Sequence, residues 1–361
     1  KRFYASIIDY RDLVTKYSRI CRRPMSLYTV LTSAFAFVLV PVSIILIGHG
    51  GDPVVVISDM FLYVLITPVI ALSIMRCAYL SQDFFLCGEA IRRLEGLTET
   101  APLPTAETTL EPMGYSVSLE DVSFRYEGAK EDAVSHVTLN VPEGKTIALV
   151  GPSGSGKTTL ARLIPRFWDT TGGRVLVGGV DVRKMSPEKL MKSVSFVFQN
   201  TRLFKTTILE NVRYGSPDAT LEEINRAIDL SQSREIIDRL PEGLNTLIGA
   251  EGTYLSGGEV QRIVLARAIL KDAPIVVLDE ATAFADPENE HLIRQALTRL
   301  TRGKTVLMIA HRLTTVHHAD SIVVMKEGAI VEEGTHDELM ERNGTYRLMW
   351  DEYQRAVAWK L

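Results

Sequence analysis

The residues Gly151-Pro152-Ser153-Gly154-Ser155-Gly156-Lys157-Thr158 follow an apolar run, 145–150, and lead into the apolar helical pattern of 159–167. A glycine-rich turn between a buried strand and a new helix has a specific chemical use. Gly151, Ser153, Gly154, Ser155 and Gly156 let backbone N–H groups close around phosphate oxygens, Thr159 stands beside them, and the positive end of the helix points at the bound anion. Lys157 supplies a point charge to the β- and γ-phosphates, and Thr158 a hydroxyl to Mg²⁺. A second apolar run, 274–278, ends in Asp279-Glu280. At the end of a buried strand, Asp279 is expected to hold Mg²⁺ and Glu280 to orient and polarise an attacking water. The chemistry implied is hydrolysis of a nucleoside triphosphate, with ATP and Mg²⁺ as the bound groups.

The elements that must position these groups read as an α/β unit. Residues 115–126 alternate like a strand, Val141-Pro142-Glu143-Gly144 marks a turn, and 145–150 reads as a buried strand. Further strands are expected at 194–198 and 305–310. At 361 residues the chain has room for two domains, and its net charge of −4 gives no reason to expect nucleic acid as a partner. The three cysteines, Cys21, Cys77 and Cys87, have no CxxC spacing and read as packing residues, not as a zinc site or disulfide framework.

Apolar residues concentrate in the first hundred positions. Met25 to Gly48 carries no charged side chain, and Val54 to Met75 is interrupted only by Asp59. Each run is long enough, as a helix, to cross a hydrocarbon core of about 30 Å. Pro41 and Pro68 lie inside these runs, where kinks are expected. Lys16, Arg19, Arg22 and Arg23 precede the first run, Arg76, Arg92 and Arg93 follow the second, and the turn between them has neither Lys nor Arg. The positive-inside rule places both outer ends in the cytoplasm. The expected organisation is a partial transmembrane domain over 1–97, with spans at about 25–48 and 54–75, a linker over 98–114, and a nucleotide-binding domain over 115–361. The chain opens at Lys1 with no signal peptide, so preceding sequence is expected. Two spans cannot enclose a pathway, so other helices must complete one.

Between the two nucleotide motifs lies Leu255-Ser256-Gly257-Gly258-Glu259, followed by Val260-Gln261-Arg262. This stretch resembles the signature sequence of ABC ATPases, with Glu259 where Gln is commoner. The resemblance covers roughly 115–350 and extends residue by residue. Tyr126 looks like the aromatic platform for adenine, Gln199 like the glutamine that reaches Mg²⁺ and faces the membrane domain, His311 like the switch histidine near the γ-phosphate, and Asp286 like the D-loop aspartate. The family implies an exporter-type membrane domain of all-α transmembrane helices fused to an α/β P-loop ATPase, the two spans being its fifth and sixth. It also implies a second half-transporter, with each ATP between one phosphate loop and the partner's Ser256, Gly257 and Gly258. Two departures, Ala283-Phe284-Ala285-Asp286 in the D-loop and Gly249-Ala250-Glu251-Gly252 before the signature, bear on coupling between the two sites and not on nucleotide binding. The stretch 279–290 is similar to exporter-fold systems that import iron–siderophore complexes, such as those for yersiniabactin and mycobactin. That likeness favours a heterodimer in the cytoplasmic membrane, in contact with lipid, carrying a small-molecule cargo. Export of a lipid, peptide or hydrophobic drug is the alternative.

Overall fold

The computed structural model describes residues 2–98, 103–106, 109–199, 202–249, 254–279, 287–310, 313 and 316–358. It divides into two units, Lys1–Pro102 and Leu103–Leu361.

The first unit is a helical hairpin. Helix α1 (Arg2–Gly48) has 47 residues and α2 (Pro53–Thr98) has 46, so each is about 70 Å long, more than twice a hydrocarbon core. The segments on either side of the apolar runs are therefore not separate pieces but continuations of the same helices. Helix α1 passes through Pro24 and Pro41, and α2 through Pro68. The turn between them is stabilised locally. Gly50 adopts φ +94°, Asp52 Oδ1 accepts from Val54 N–H at 2.9 Å, and Pro53 opens the second helix where its missing N–H costs nothing. Tyr28 donates its hydroxyl to the Ala71 carbonyl at 2.5 Å, tying α1 to α2. Among the described residues one helix, Pro53–Gly96, is long and apolar enough to cross a membrane, and a shorter apolar stretch covers Phe37–Gly48. Phe61, Leu65, Leu72 and Phe84 are all exposed along α2. Such a surface needs lipid or further helices against it.

The second unit is built from strands β1 (Val117–Phe124), β2 (Val134–Val141) and β3 (Thr146–Val150), then α3 (Lys157–Leu163), β4 (Gly172–Val177), β5 (Val180–Asp181), α4 (Pro187–Ser193) and β6 (Val194–Val197). Four helices follow, α5 (Ile208–Arg213), α6 (Leu221–Leu230), α7 (Arg234–Arg239) and α8 (Gly257–Lys271). The chain then returns through β7 (Ile275–Asp279), α9 (Pro287–Thr301), β8 (Thr305–Ile309), β9 (Ser321–Lys326), β10 (Ala329–Gly334), α10 (His336–Glu341) and α11 (Thr345–Ala358).

An antiparallel sheet in the order β2-β1-β4-β5 accompanies a six-stranded sheet in the order β10-β9-β3-β8-β7-β6. In the larger sheet β6, β7, β8, β3 and β9 run parallel, and β10 returns antiparallel on β9. Parallel strands buried on both faces read as unbroken apolar runs, as Ile147–Val150 and Ile275–Leu278 do. One core lies around β1, β2, β3 and α3, including Leu119, Leu149, Leu160 and Ile164. A second packs α8 and α9 on the sheet, a third packs α10 and α11 on its other strands, and a fourth joins α5, α6 and α8. Helix α3 is shorter than the apolar pattern 159–167 suggested. Pro165 cannot donate to a further turn and Arg166 swings to φ +57°, which ends the helix.

Leu149 is fully buried between β8 and β9. Truncation to Ala leaves a cavity in a rigid sheet core and is expected to destabilise the second unit by roughly 2–5 kcal/mol. A thermal unfolding midpoint of the detergent-solubilised chain equal to wild type would contradict this packing.

Candidate nucleotide site

The register of the large sheet decides which loops meet. Val150 ends β3, Val197 pairs with Leu278, and Asp279 pairs with Ile309. The segments leaving β3, β6, β7 and β8 therefore emerge at one edge of the sheet. The first two of these lead into the glycine-rich loop and Gln199. This is the position at which open parallel sheets bind ligands, beyond the carboxyl ends of their strands.

Within the loop, two glycines are required by geometry. A Cβ on Gly151 (φ +147°) would stand 2.1 Å from the Met325 carbonyl oxygen, and one on Gly156 (φ +95°) 2.3 Å from that of Ala133. Both values are far inside contact distance, so the loop closes this tightly only because no side chain is there. Ser153 and Gly154 are exposed at its rim, while Ser155 is buried. Lys157 is 4% exposed, and its Nζ donates to the carbonyls of Gly151 and Pro152 at 2.8 Å each and to Ser155 Oγ at 3.3 Å. The ammonium is thereby folded back over the mouth of its own loop. Gly156, at the N-cap of α3, places no side chain over the helix's first N–H groups.

Thr158 donates its hydroxyl to Asp279 Oδ1 at 3.2 Å, joining the loop after β3 to the end of β7. Asp279 is only 2% exposed. A hydroxyl and a carboxylate oxygen side by side form a hard oxygen set of the kind that binds Mg²⁺. Tyr126 is half-buried, its hydroxyl 3.0 Å from Thr159 Oγ1. Its ring is held edge-on by Phe124 at 4.8 Å and by Trp168 at 5.5 Å. Trp168 was not among the residues expected at the site. It lies 42 positions from Tyr126, reaches it only through the pairing of β1 with β4, and has no local spacing to betray it. Gln199 follows β6 and is exposed. Glu280, Asp286 and His311 lie outside the described residues.

The signature residues sit elsewhere, at the start of α8, which packs with α5 and α6. Ser256 is the N-cap and accepts from Glu259 N–H, while the Glu259 side chain accepts from Ser256 N–H at 2.8 Å, completing a capping box. Ser256 and Gly257 are exposed and Gly258 is buried, where a Cβ would stand 2.8 Å from Asn289 Cγ of α9. Glu259 also pairs with Arg239. Burial acts to raise the Glu259 carboxyl, but donation from Ser256 N–H and the Arg239 guanidinium outweighs it, and the net direction is downward.

Residues 134–283 match the model of the ABC transporter domain. The second unit therefore carries an ABC transporter domain. Over 236 residues it is 51% identical to the mycobactin import ATP-binding/permease protein IrtA of Mycolicibacterium thermoresistibile, covering 65% of this chain and 26% of that protein. Over 259 residues it is 45% identical to the ATP-dependent lipid A-core flippase of Vibrio vulnificus, covering 71% of this chain and 44% of that protein. Its fold is similar to the structure of a bacterial Atm1-family ABC exporter with ATP bound, with a TM-score of 0.69 at 29% identity, over 95% of this chain and 61% of that one. The chain thus spans less than half the length of these curated relatives. Two long, largely apolar helices thus come first in this chain and an ABC transporter domain second.

Gly151→Ala is expected to weaken binding of a fluorescent ATP analogue at least tenfold, because the added carbon displaces the loop from Met325. Wild-type affinity would show that the loop has slack the structure does not contain. The Glu259 shift has a sign as well. A carboxyl lowered on folding contributes stability above its unfolded value, and that contribution is lost as pH falls through the folded value. Amide protection at Ser256 to Glu259 should therefore hold from about pH 7 to about pH 5 and drop as pH is taken on down to about 2 in wild type, and drop less in Glu259→Gln.

Proposed function

We propose that this chain is one half of an ATP-driven membrane transporter whose two nucleotide-binding domains close head to tail on ATP. The observation that carries the reading is the pairing of Thr158 with Asp279 under a glycine loop that holds Lys157, in a chain that also has a helix long and apolar enough to cross a membrane. In this reading Gly151, Ser153, Gly154, Ser155, Gly156 and Thr159 hold the phosphates, Lys157 exchanges its loop carbonyls for phosphate oxygens, and Tyr126 stacks on adenine. Thr158, Asp279 and Gln199 would hold Mg²⁺, which when bound neutralises charge developing on the phosphates. Glu280 positions the attacking water and His311 stands by the γ-phosphate. Ser256, Gly257 and Gly258 of one half serve the ATP held by the other, with Asp286 between the two sites. A phosphate loop alone leaves part of the γ-phosphate charge uncompensated, and the exposed start of α8 offers the missing donors.

The membrane part is read as the two spans 25–48 and 54–75 of a multi-pass domain in the cytoplasmic membrane, with the nucleotide domain in the cytoplasm and the linker 98–114 between them. The partner is a second half-transporter, a different chain being favoured over a copy of this one. The cargo we favour is a ferric siderophore moving inward, supported by the 51% identity to a protein named for mycobactin import. The 45% identity to a lipid A-core flippase supports the second reading, outward movement of a lipid or another hydrophobic compound.

Labelled ferric siderophore and the complete assembly in sealed vesicles test this directly. ATP-dependent movement toward the nucleotide-domain side is expected, and Glu280→Gln should abolish it while retaining bound ATP. Lys157→Ala should instead weaken ATP binding itself by at least tenfold, about 1.4 kcal/mol. Siderophore that stays put while ATP is still consumed favours the second reading, and undiminished ATP turnover in either variant of a homodimer contradicts the site assignment.

A further inference from the structure

Directly behind the exposed residues Ser256 and Gly257 lies a buried carboxylate. Glu259 is 9% exposed, one of its oxygens accepts from Ser256 N–H at 2.8 Å, and the other accepts from Arg239 Nη2. Arg239 is the last residue of α7, and its side chain is 61% exposed. The pair spans two helices that meet at the start of α8.

A glutamine at position 259 could make the same bond to Ser256 N–H without any charge. The carboxylate therefore does something a cap alone does not require. A negative group in the first turn favours the helix through its dipole. It also opposes any second anion approaching the same N–H groups. A γ-phosphate arriving at Ser256 and Gly257 is such an anion, and it arrives as water is being excluded, where like charges repel most strongly. The arginine cancels this opposition. It reaches from the solvent side, where a long side chain can hold its guanidinium against a carboxylate that is itself buried.

We propose that Arg239 is a positioning residue for the signature end of the ATP site. It keeps the Glu259 carboxylate turned onto Ser256 N–H and neutralises it, so that the exposed start of α8 accepts the γ-phosphate presented by the other half. This rests on the head-to-tail reading given above. The effect of Arg239 on the signature end then depends on the charge at position 259, with Glu235 the other carboxylate acting on Arg239, which gives the inference a sign that a merely structural role lacks. Without the arginine, Glu259 repels phosphate; without the carboxylate, there is nothing for the arginine to cancel.

The test is a double-mutant cycle on the assembled, membrane-embedded complex, with Arg239→Ala, Glu259→Gln and the two combined. Steady-state ATP hydrolysis is measured against ATP concentration, beside a thermal unfolding midpoint for each variant. Arg239→Ala alone is expected to raise the ATP concentration for half-maximal turnover about fivefold, the scale of a partly exposed ion pair. The combined variant should match Glu259→Gln alone. Arg239→Ala that behaves as wild type, or that loses as much in the Glu259→Gln background as in the native one, overturns the proposal. In both cases an active wild-type complex leaves the head-to-tail reading standing. A wild-type complex that hydrolyses no ATP overturns that reading and this inference together.

Discussion

The hydrogen bond from Thr158 to Asp279 spans a strand. In the sheet order, β8 lies between β3 and β7, so the loop that follows β3 must reach across β8 to touch the last residue of β7. It can do so because the three strands run parallel and end level, Leu149 beside Ile309 and Ile309 beside Asp279. A carboxylate 2% exposed is costly to leave without partners, and a hydroxyl from the loop helps offset that cost. The same levelness brings the segments after β6 and β8 to this edge. One constraint, parallel register without slippage, thus positions the lysine, the acidic strand end and the loops that flank them.

The signature end is positioned by different means. Helix α8 belongs to two cores. Leu265 and Ala268 pack in the cluster shared with β6, β7 and α9, while Ile263 and Ala266 pack in the cluster shared with α5 and α6. Its buried residues therefore lie on more than one face, and Glu259, Gln261 and Arg262 are buried among them. A helix clamped on both sides cannot move its N-terminus independently. Displacing Ser256 means displacing the contact between the helical segment and the sheet. A shift of α5 and α6 relative to the sheet would then reach the start of α8 through packed side chains, without needing a flexible joint there.

Much of this was legible in the sequence, for identifiable reasons. The glycine loop could be read because strand, loop and helix are contiguous, and Asp279 because a buried parallel strand is a plain apolar run that stops at a charge. The strand expected over 194–198 forms as Val194–Val197, and that over 305–310 as Thr305–Ile309. What escaped notice is non-local or depends on backbone turns. The end of α3 is set by Arg166 at φ +57°, a conformation that apolar periodicity does not encode. The brace of Trp168 on Tyr126 depends on two strands pairing. Glu259 stood out as an unusual residue in its motif, but its partner Arg239 is 20 positions away on another helix and carried no motif of its own. The apolar runs cover only part of α1 and α2, because they mark where a helix needs apolar surroundings, not where it stops. Polar helix continues past both runs at no cost in water.

The phosphate side of the molecule is indifferent to what is moved. Backbone N–H groups, one ammonium, one hydroxyl and one carboxylate suit a triphosphate, and none of them could read a cargo or a direction. That indifference is the physical reason similar nucleotide domains occur beside import and flippase names alike. In the transport reading proposed above, specificity would reside in helices such as α1 and α2, in side chains deep enough to be kept from water. Asp59 is the acidic residue inside the second apolar run, and it is exposed on α2. It stands six residues after Pro53, about 9 Å along the helix, short of the roughly 15 Å that would bring it to the centre of a hydrocarbon core. A carboxylate at that depth can reach the interface and stay hydrated. It needs no cargo to explain it.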